Sequence, residues 1–182
     1  KQFSDNKNRL TTEIKTLKEK QYEQNEVICY ELGNLSQSFE SQDYIEIYKS
    51  VISLRNNLKK NRDYPQIIPQ DNILQLIEIL INYSDHESII RGTLQVFASL
   101  IDLSSGLIDN VNIMINNSFL EIILSLQNDI QTMRNQLKIV SIYLKVIQSL
   151  ILYCNRNPEL ISCEHIMQKI DFDFFFSLFQ FI

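Results

Sequence analysis

Three side chains that could ligate a metal ion lie close together near the carboxyl end of the sequence: Cys154, Cys163 and His165. Structural zinc sites usually need four ligands, commonly including one closely spaced pair. No fourth ligand lies nearby, and the three cysteines of the chain, with Cys29, form no CxxC pair. We therefore interpret the two cysteines as buried thiols and His165 as a surface residue, and we predict neither a metal site nor a cofactor.

The rest of the sequence offers few residues for catalysis. Only two histidines and three glycines occur among 182 residues, and His86 sits in a polar turn, "SDHES". No Ser/His/Asp order, Gly-rich phosphate loop or paired-carboxylate spacing is present in the sequence. We therefore expect that the protein is not an enzyme and binds no small-molecule substrate.

Charge and composition exclude further classes of function. The net charge of −5 disfavours a nucleic-acid surface, because such surfaces need clustered Lys and Arg. We expect no membrane span, since no apolar stretch approaches the ~18 residues that a span requires. The amino-terminal residues are polar and lack the apolar core of a secretory signal. With an odd number of cysteines, these features predict a protein of the cytoplasm or nucleus.

The spacing of apolar residues predicts an all-α fold. Three glycines and three prolines are too few for the tight turns of a β-sandwich or barrel. Residues 6–32 favour one polar helix, and we interpret residues 32–43 as a linker that ends with Ser41 or Asp43 as an N-cap. Pro65 and Pro69 then interrupt the helical pattern. The remaining predicted helices cover residues 44–58, 72–83, 94–101, about 107–116, 118–126 and 137–152, followed by an apolar carboxyl-terminal helix.

One short apolar pattern occurs three times. The octamers "IYKSVISL" (47–54), "TLQVFASL" (93–100) and "YLKVIQSL" (143–150) all end in Ser-Leu, at offsets of 46 and 50 residues. Two further apolar segments, 72–80 and 118–126, are also 46 residues apart. Periods of about 40–47 residues with two or three helices are typical of HEAT and armadillo repeats. The alternative is an irregular helical bundle in which these sequence similarities arise by chance.

This periodicity leads to a prediction of domain organisation. We expect an armadillo-like right-handed superhelix, an α-solenoid of about two and a half repeats, over residues 38–182. Residues 1–37 would form a polar N-terminal extension. The segment "FDFFFSLFQFI" (172–182) is too apolar for the end of a solenoid, which normally finishes with a polar capping repeat, so we expect the chain to be truncated at its C-terminus.

Residues 38–127 resemble the first armadillo repeats of importin alpha, the adaptor that carries cargo with nuclear localisation signals. The resemblance rests on the order and spacing of "LRNNL" (54–58), "YPQIIPQDNILQLIEIL" (64–80) and "LQVFASLIDLSSG" (94–106). It covers half to two-thirds of the chain, while individual residues match weakly. It implies an adaptor that binds nuclear localisation signals for protein import into the nucleus, and that is found in cytoplasm and nucleus.

A fainter resemblance concerns the N-terminal extension. Residues 13–18, "EIKTLK", are similar to the start of the importin-beta-binding segment of that family, which implies roles for Glu13, Ile14, Lys15 and Lys18. Where the family has a basic cluster, this chain has "EQNEV" (23–27). The acidic replacement removes charge that importin beta would recognise. A solvated polar helix is the alternative for this segment.

The resemblance also implies a peptide-binding groove on the concave face. The family uses a ladder of Trp and Asn, in which Trp faces hold Lys stems and Asn side chains hold the peptide backbone. This chain contains no Trp. The Trp position falls on Gln95 and Lys145, and the Asn position on Ser99 and Ser149. Because Lys145 would repel a basic peptide, a non-transport armadillo-repeat scaffold subunit that mediates protein–protein interaction remains the alternative function.

Overall fold

The computed structural model describes residues 2–61, 68–102, 108–133 and 136–156, together with residues 168 and 173. Within this part of the chain the all-α prediction is confirmed, because the regular structure consists of seven helices without a strand. The helices are α1 (Gln2–Ser41), α2 (Tyr44–Lys60), α3 (Gln70–Asn82), α4 (Glu87–Ile101), α5 (Ile108–Asn116), α6 (Phe119–Thr132) and α7 (Gln136–Arg156). The predicted apolar segment 172–182, apart from residue 173, and the predicted interruption at Pro65 lie outside the described residues.

The predicted linker over residues 32–43 is wrong, because α1 continues as one helix to Ser41. Its last third carries an apolar stripe at helical spacing, formed by Ile28, Leu32 and Leu35, and all three side chains are buried. This part of α1 packs against α2 and α3. The sequence boundary drawn after residue 37 therefore lies inside a continuous helix rather than at a break.

The junction between α1 and α2 is a short turn with a well-formed cap. Gln42 takes a left-handed conformation with a φ of 55°, which ends α1. Asp43 then caps α2, since its Oδ1 accepts hydrogen bonds from the backbone N–H groups of Ile45 at 2.8 Å and Glu46 at 3.4 Å. The prediction of Asp43 as an N-cap is thus confirmed.

The three octamer helices lie side by side. α4 packs against α2 on one side and against α7 on the other. A second set, α1, α3 and α6, lies behind them, with α3 in contact with both α1 and α6. Each helix of the first set packs on a chain neighbour in the second, through the pairs α1–α2, α3–α4 and α6–α7. The buried side chains of both sets form one hydrophobic core.

The repeated octamer marks the inward face of each front helix. Its first, fourth, fifth and eighth positions are buried in all three copies. They are Ile47, Ser50, Val51 and Leu54 in α2, Thr93, Val96, Phe97 and Leu100 in α4, and Tyr143, Val146, Ile147 and Leu150 in α7. The repeated octamer therefore reflects the same pattern of buried positions in α2, α4 and α7.

One helix is more apolar than the sequence analysis expected. The stretch Leu137–Arg156 in α7 is long and apolar enough to cross a membrane by length and composition alone. About half of the window, 44%, is buried inside the protein, and α7 packs on α4 and α6. Core helices of water-soluble proteins pass the same test, so the stretch is weak evidence for a span.

Close contact between α2 and α4 depends on a glycine. A Cβ atom built on Gly92 would lie 2.9 Å from Cγ1 of Val51 and 3.2 Å from Cδ1 of Ile52. Val51 is β-branched and fully buried, so it has little freedom to move away. Gly92 therefore sets the distance between the two helices. Gly33 in α1, by contrast, has open space around the position of an added Cβ.

We predict that Gly92→Ala and Gly33→Ala have different effects on stability. Both gain helix propensity, by about 1 kcal/mol each. Only Gly92→Ala forces an atom into the α2–α4 contact, and overpacking of this kind costs about 1–3 kcal/mol. The free energy of unfolding, measured by urea denaturation, should therefore be lower for Gly92→Ala than for Gly33→Ala by about that cost. Equal values for the two variants would contradict the close contact.

Candidate functional site

A groove crosses the outer surface of the three octamer helices, and we call it the α2–α4–α7 groove. Its volume is about 430 Å³, and it receives side chains from all three helices and from the end of α4. The lining residues are Arg55, Asn56, Leu58, Lys59, Gln95, Ala98, Ser99, Asp102, Ile142 and Lys145. The described lining comes from these three helices and from Asp102, the C-cap residue of α4, so its shape follows directly from how the helices pack.

In the middle of the groove, the partly exposed side chains of α4 form a low ridge. Between residues 89 and 101 every side chain of α4 is buried except Arg91, Gln95 and Ser99, which are half-exposed. Their spacing of four residues places them along one line on the helix surface. The Ser99 Oγ donates a hydrogen bond to the backbone carbonyl of Gln95 at 3.0 Å. The ridge therefore presents the polar side chains of Gln95 and Ser99 to the groove, on a helix that is otherwise buried.

The side chain of Arg55 on α2 is held in place by a hydrogen bond to the neighbouring helix α4. Its Nη1 donates a hydrogen bond of 2.7 Å to Oε1 of Gln95, which joins α2 to α4. Its Nε and Nη2 donate to Oδ1 of Asn56 at 3.2 Å and 2.8 Å. Since two amide oxygens fix the planar guanidinium, less side-chain entropy is lost when it binds a further group.

The groove carries a surplus of positive charge. Arg55, Lys59 and Lys145 line it, and Asp102, the C-cap residue of α4, is the one lining carboxylate among the described residues. Both lysines are exposed, and within the described residues neither forms an ion pair. This sign is opposite to that of the whole chain, whose net charge is −5. The groove therefore favours negatively charged groups.

The structure brings together three of the four residues predicted for peptide binding. Gln95, Ser99 and Lys145 all line the groove. Ser149 lies half-buried on α7, one turn beyond Lys145, and is not part of the lining. Sequence reasoning missed the contributions of Arg55 and Lys59, because both residues lie outside the repeated octamer. Only the packing of α2 on α4 places them beside residues 40 positions away.

The residues that resemble an importin-beta-binding segment lie elsewhere, on the amino-terminal part of α1. Ile14, Lys15 and Lys18 line a shallow recess on this helix together with Tyr22, and Glu13 lies on the same exposed stretch. Ile14 is 52% exposed, and the Lys15 Nζ is 3.9 Å from a carboxylate oxygen of Glu19, a weak surface pair. Among the side chains of α1 that the structure describes, from residue 12 onward, the first buried one is Ile28. These residues therefore form no common site with the groove.

A second cleft, between α1 and α2, is polar, and several of its side chains bind one another. The hydroxyls of Ser38 and Ser50 are 2.8 Å apart, and the Lys49 Nζ donates to Oε1 of Glu46 at 2.7 Å. This hydrogen bond and the charge of Glu46 raise the pKa of Lys49. The paired charges leave this cleft without the surplus that distinguishes the α2–α4–α7 groove.

The described residues show no metal-binding constellation. They contain no group of three or more His, Cys, Asp or Glu side chains that could hold a metal ion. Cys154 is buried as predicted, whereas Cys163 and His165 lie outside the described residues. Burial raises the pKa of Tyr143. Tyr143 is therefore neutral at physiological pH and serves packing between α6 and α7.

Comparison of the chain with models of known families, with characterised proteins and with solved structures finds no match. The resemblance to importin alpha is thus neither supported nor refuted by these comparisons, and the assignment of function depends on the groove.

We predict that the Arg55–Gln95 hydrogen bond couples α2 to α4. In a double-mutant cycle with Arg55→Ala and Gln95→Ala, the coupling free energy should be about 0.5–1.5 kcal/mol, since the bond is charge-assisted but only partly buried. Urea denaturation of the four proteins measures it. Gln148→Ala, at an exposed site on α7, is the control partner and should show no coupling with Arg55→Ala. A coupling near zero for Gln95 would mean that the bond contributes nothing.

Proposed function

We propose that the protein is a protein-binding module of the armadillo-like helical-repeat type, which holds an extended segment of a partner in the α2–α4–α7 groove. The observation that carries the proposal is that one groove is shared by three helices packed in equivalent register. Stacked repeats of this kind create extended binding surfaces along the stack. An α-solenoid continued by further repeats would lengthen the same surface.

The dimensions of the groove suit an extended chain. Neighbouring packed helices lie about 8–10 Å apart, so crossing from α2 over α4 to α7 covers roughly 16–20 Å. An extended chain advances about 3.3 Å per residue, so five or six residues span that distance. The Gln95 amide, whose oxygen accepts from Arg55, keeps N–H donors for a carbonyl of the bound backbone. Gln95 can thus play the part that Asn plays in an armadillo peptide ladder.

Two versions of this function differ in the partner. An importin-alpha-like adaptor, acting in cytoplasm and nucleus, would bind a lysine-rich nuclear signal in this groove, and the family resemblance favours it. Arg55, Lys59 and Lys145 would repel such a signal, and no Trp is available to hold lysine stems. The charge of the groove therefore favours the second version, a scaffold subunit that binds other proteins without carrying nuclear cargo.

We predict that blocking the groove abolishes peptide binding. Ser99→Tyr places a large side chain on the central ridge, where a bound segment must pass. Binding of the purified protein to an array of peptides with varied sequence should reveal a set of peptides that the Ser99→Tyr variant no longer binds.

Ser125→Tyr is the matched control, because Ser125 is exposed on α6, outside the groove. This variant should bind the same peptides as the unmodified protein. If the unmodified protein binds no peptide of the array, or if both variants bind equally well, the groove is not a peptide-binding site. Thermal unfolding of both variants shows whether either substitution disturbs the fold.

A further inference from the structure

We infer that the α2–α4–α7 groove selects an acidic peptide segment, in which the Glu or Asp side chains are interrupted by a neutral or basic residue. This inference rests on the proposed function and names the chemistry of the partner. It differs from the lysine-rich signal that the family resemblance implies, and it follows from the lining of the groove.

The first argument is the balance of charge. Of the charged lining residues that the structure describes, three of four are basic, while the chain as a whole carries 22 acidic and 17 basic side chains. Basic residues are therefore concentrated in the groove against the general trend. Lys59 and Lys145, which have no ion-pair partner within the described residues, are available to an incoming carboxylate. Opposite charges in a partly enclosed groove attract more strongly than on an open surface.

The second argument is the geometry of Arg55. A guanidinium has five N–H donors, and Arg55 uses three of them in its hydrogen bonds to Gln95 and Asn56. Two donors remain, one on each terminal nitrogen. A fixed guanidinium that presents N–H donors suits the planar geometry of a carboxylate. Arg55 is thus a positioned anion-binding group rather than a freely moving surface charge.

The remaining lining restricts the sequence of the partner. Ile142 offers apolar surface beside Lys145, on which the aliphatic part of a side chain can pack. Asp102, at the end of α4, repels a carboxylate, so the segment should carry a neutral or basic residue beside it. An acidic segment with one interruption fits this pattern better than a continuous acidic run.

A positively charged groove could also attract nucleic acid, but the lining favours a peptide. Single-stranded nucleic acids are bound by grooves in which aromatic side chains stack on the bases. Among the residues that the structure describes, the lining of this groove contains no aromatic side chain and includes one carboxylate, which would repel phosphates. We therefore assign a peptide and make the nucleic acid an outcome of the test.

Fluorescence polarisation with labelled probes tests the assignment. The probes are three peptides that alternate Glu-Ser, Gln-Ser or Lys-Ser, and a single-stranded oligouridine RNA. The unmodified protein should bind the Glu-Ser peptide best, and added salt should weaken this binding. Lys145→Glu should lower the affinity for it by about tenfold or more, because the change replaces attraction with repulsion. Lys20→Glu makes the same change of charge on the exposed part of α1 and should leave the affinity unchanged.

Each other outcome overturns the inference. Equal binding of the Gln-Ser peptide removes the role of charge, and tighter binding of the Lys-Ser peptide supports the nuclear-signal version instead. Equal losses for Lys145→Glu and Lys20→Glu would mean that only the net charge matters. Tighter binding of the RNA would mean that the groove binds a nucleic acid rather than a peptide. The proposed function fails separately, only if no peptide in the array depends on Ser99. Circular dichroism confirms that the variants are folded.

Discussion

The contact between α2 and α4 at Gly92 is the constraint on which the architecture depends. α4 is the central helix, with ten of its fifteen residues buried, and it must pack on α2 and α7 at once. A glycine facing the β-branched Val51 lets α2 approach closely. The approach then brings Arg55 within hydrogen-bonding distance of Gln95. The packing of the core and the chemistry of the groove thus have a common physical cause.

The groove is chemically different from the surface that the family resemblance implies. Positions that would carry Trp and Asn carry Gln95 and Ser99, and the basic residues around them come from both neighbouring helices. In the proposed function, attraction of carboxylates takes the place of attraction of lysine stems, while the Gln95 amide would still offer hydrogen bonds to a peptide backbone. A similar order of helices can therefore support the opposite charge preference, because the fold determines where side chains lie and not which partner they select.

Much of the fold could be predicted from helical periodicity, and the repeated octamer located the buried face of α2, α4 and α7. The end of α1 could not be predicted in this way, because its polar residues suggested a linker. Ile28, Leu32 and Leu35 nevertheless form an apolar stripe, and tertiary packing of this stripe stabilises the helix. The groove was only partly predictable. Gln95 was named because the family resemblance implied it, whereas the contribution of Arg55 depends on a contact across 40 residues that no local pattern encodes.

The nuclear Overhauser effect between the Hα protons of Gly92 and the methyl protons of Val51 tests the central claim most directly, and it needs no substitution. With α4 packed against α2 as described, the two groups are in van der Waals contact, so a strong cross-peak should be observed. Its absence, with Gly92 showing cross-peaks only to residues of α4, would contradict the close packing of the two helices and the groove that depends on it.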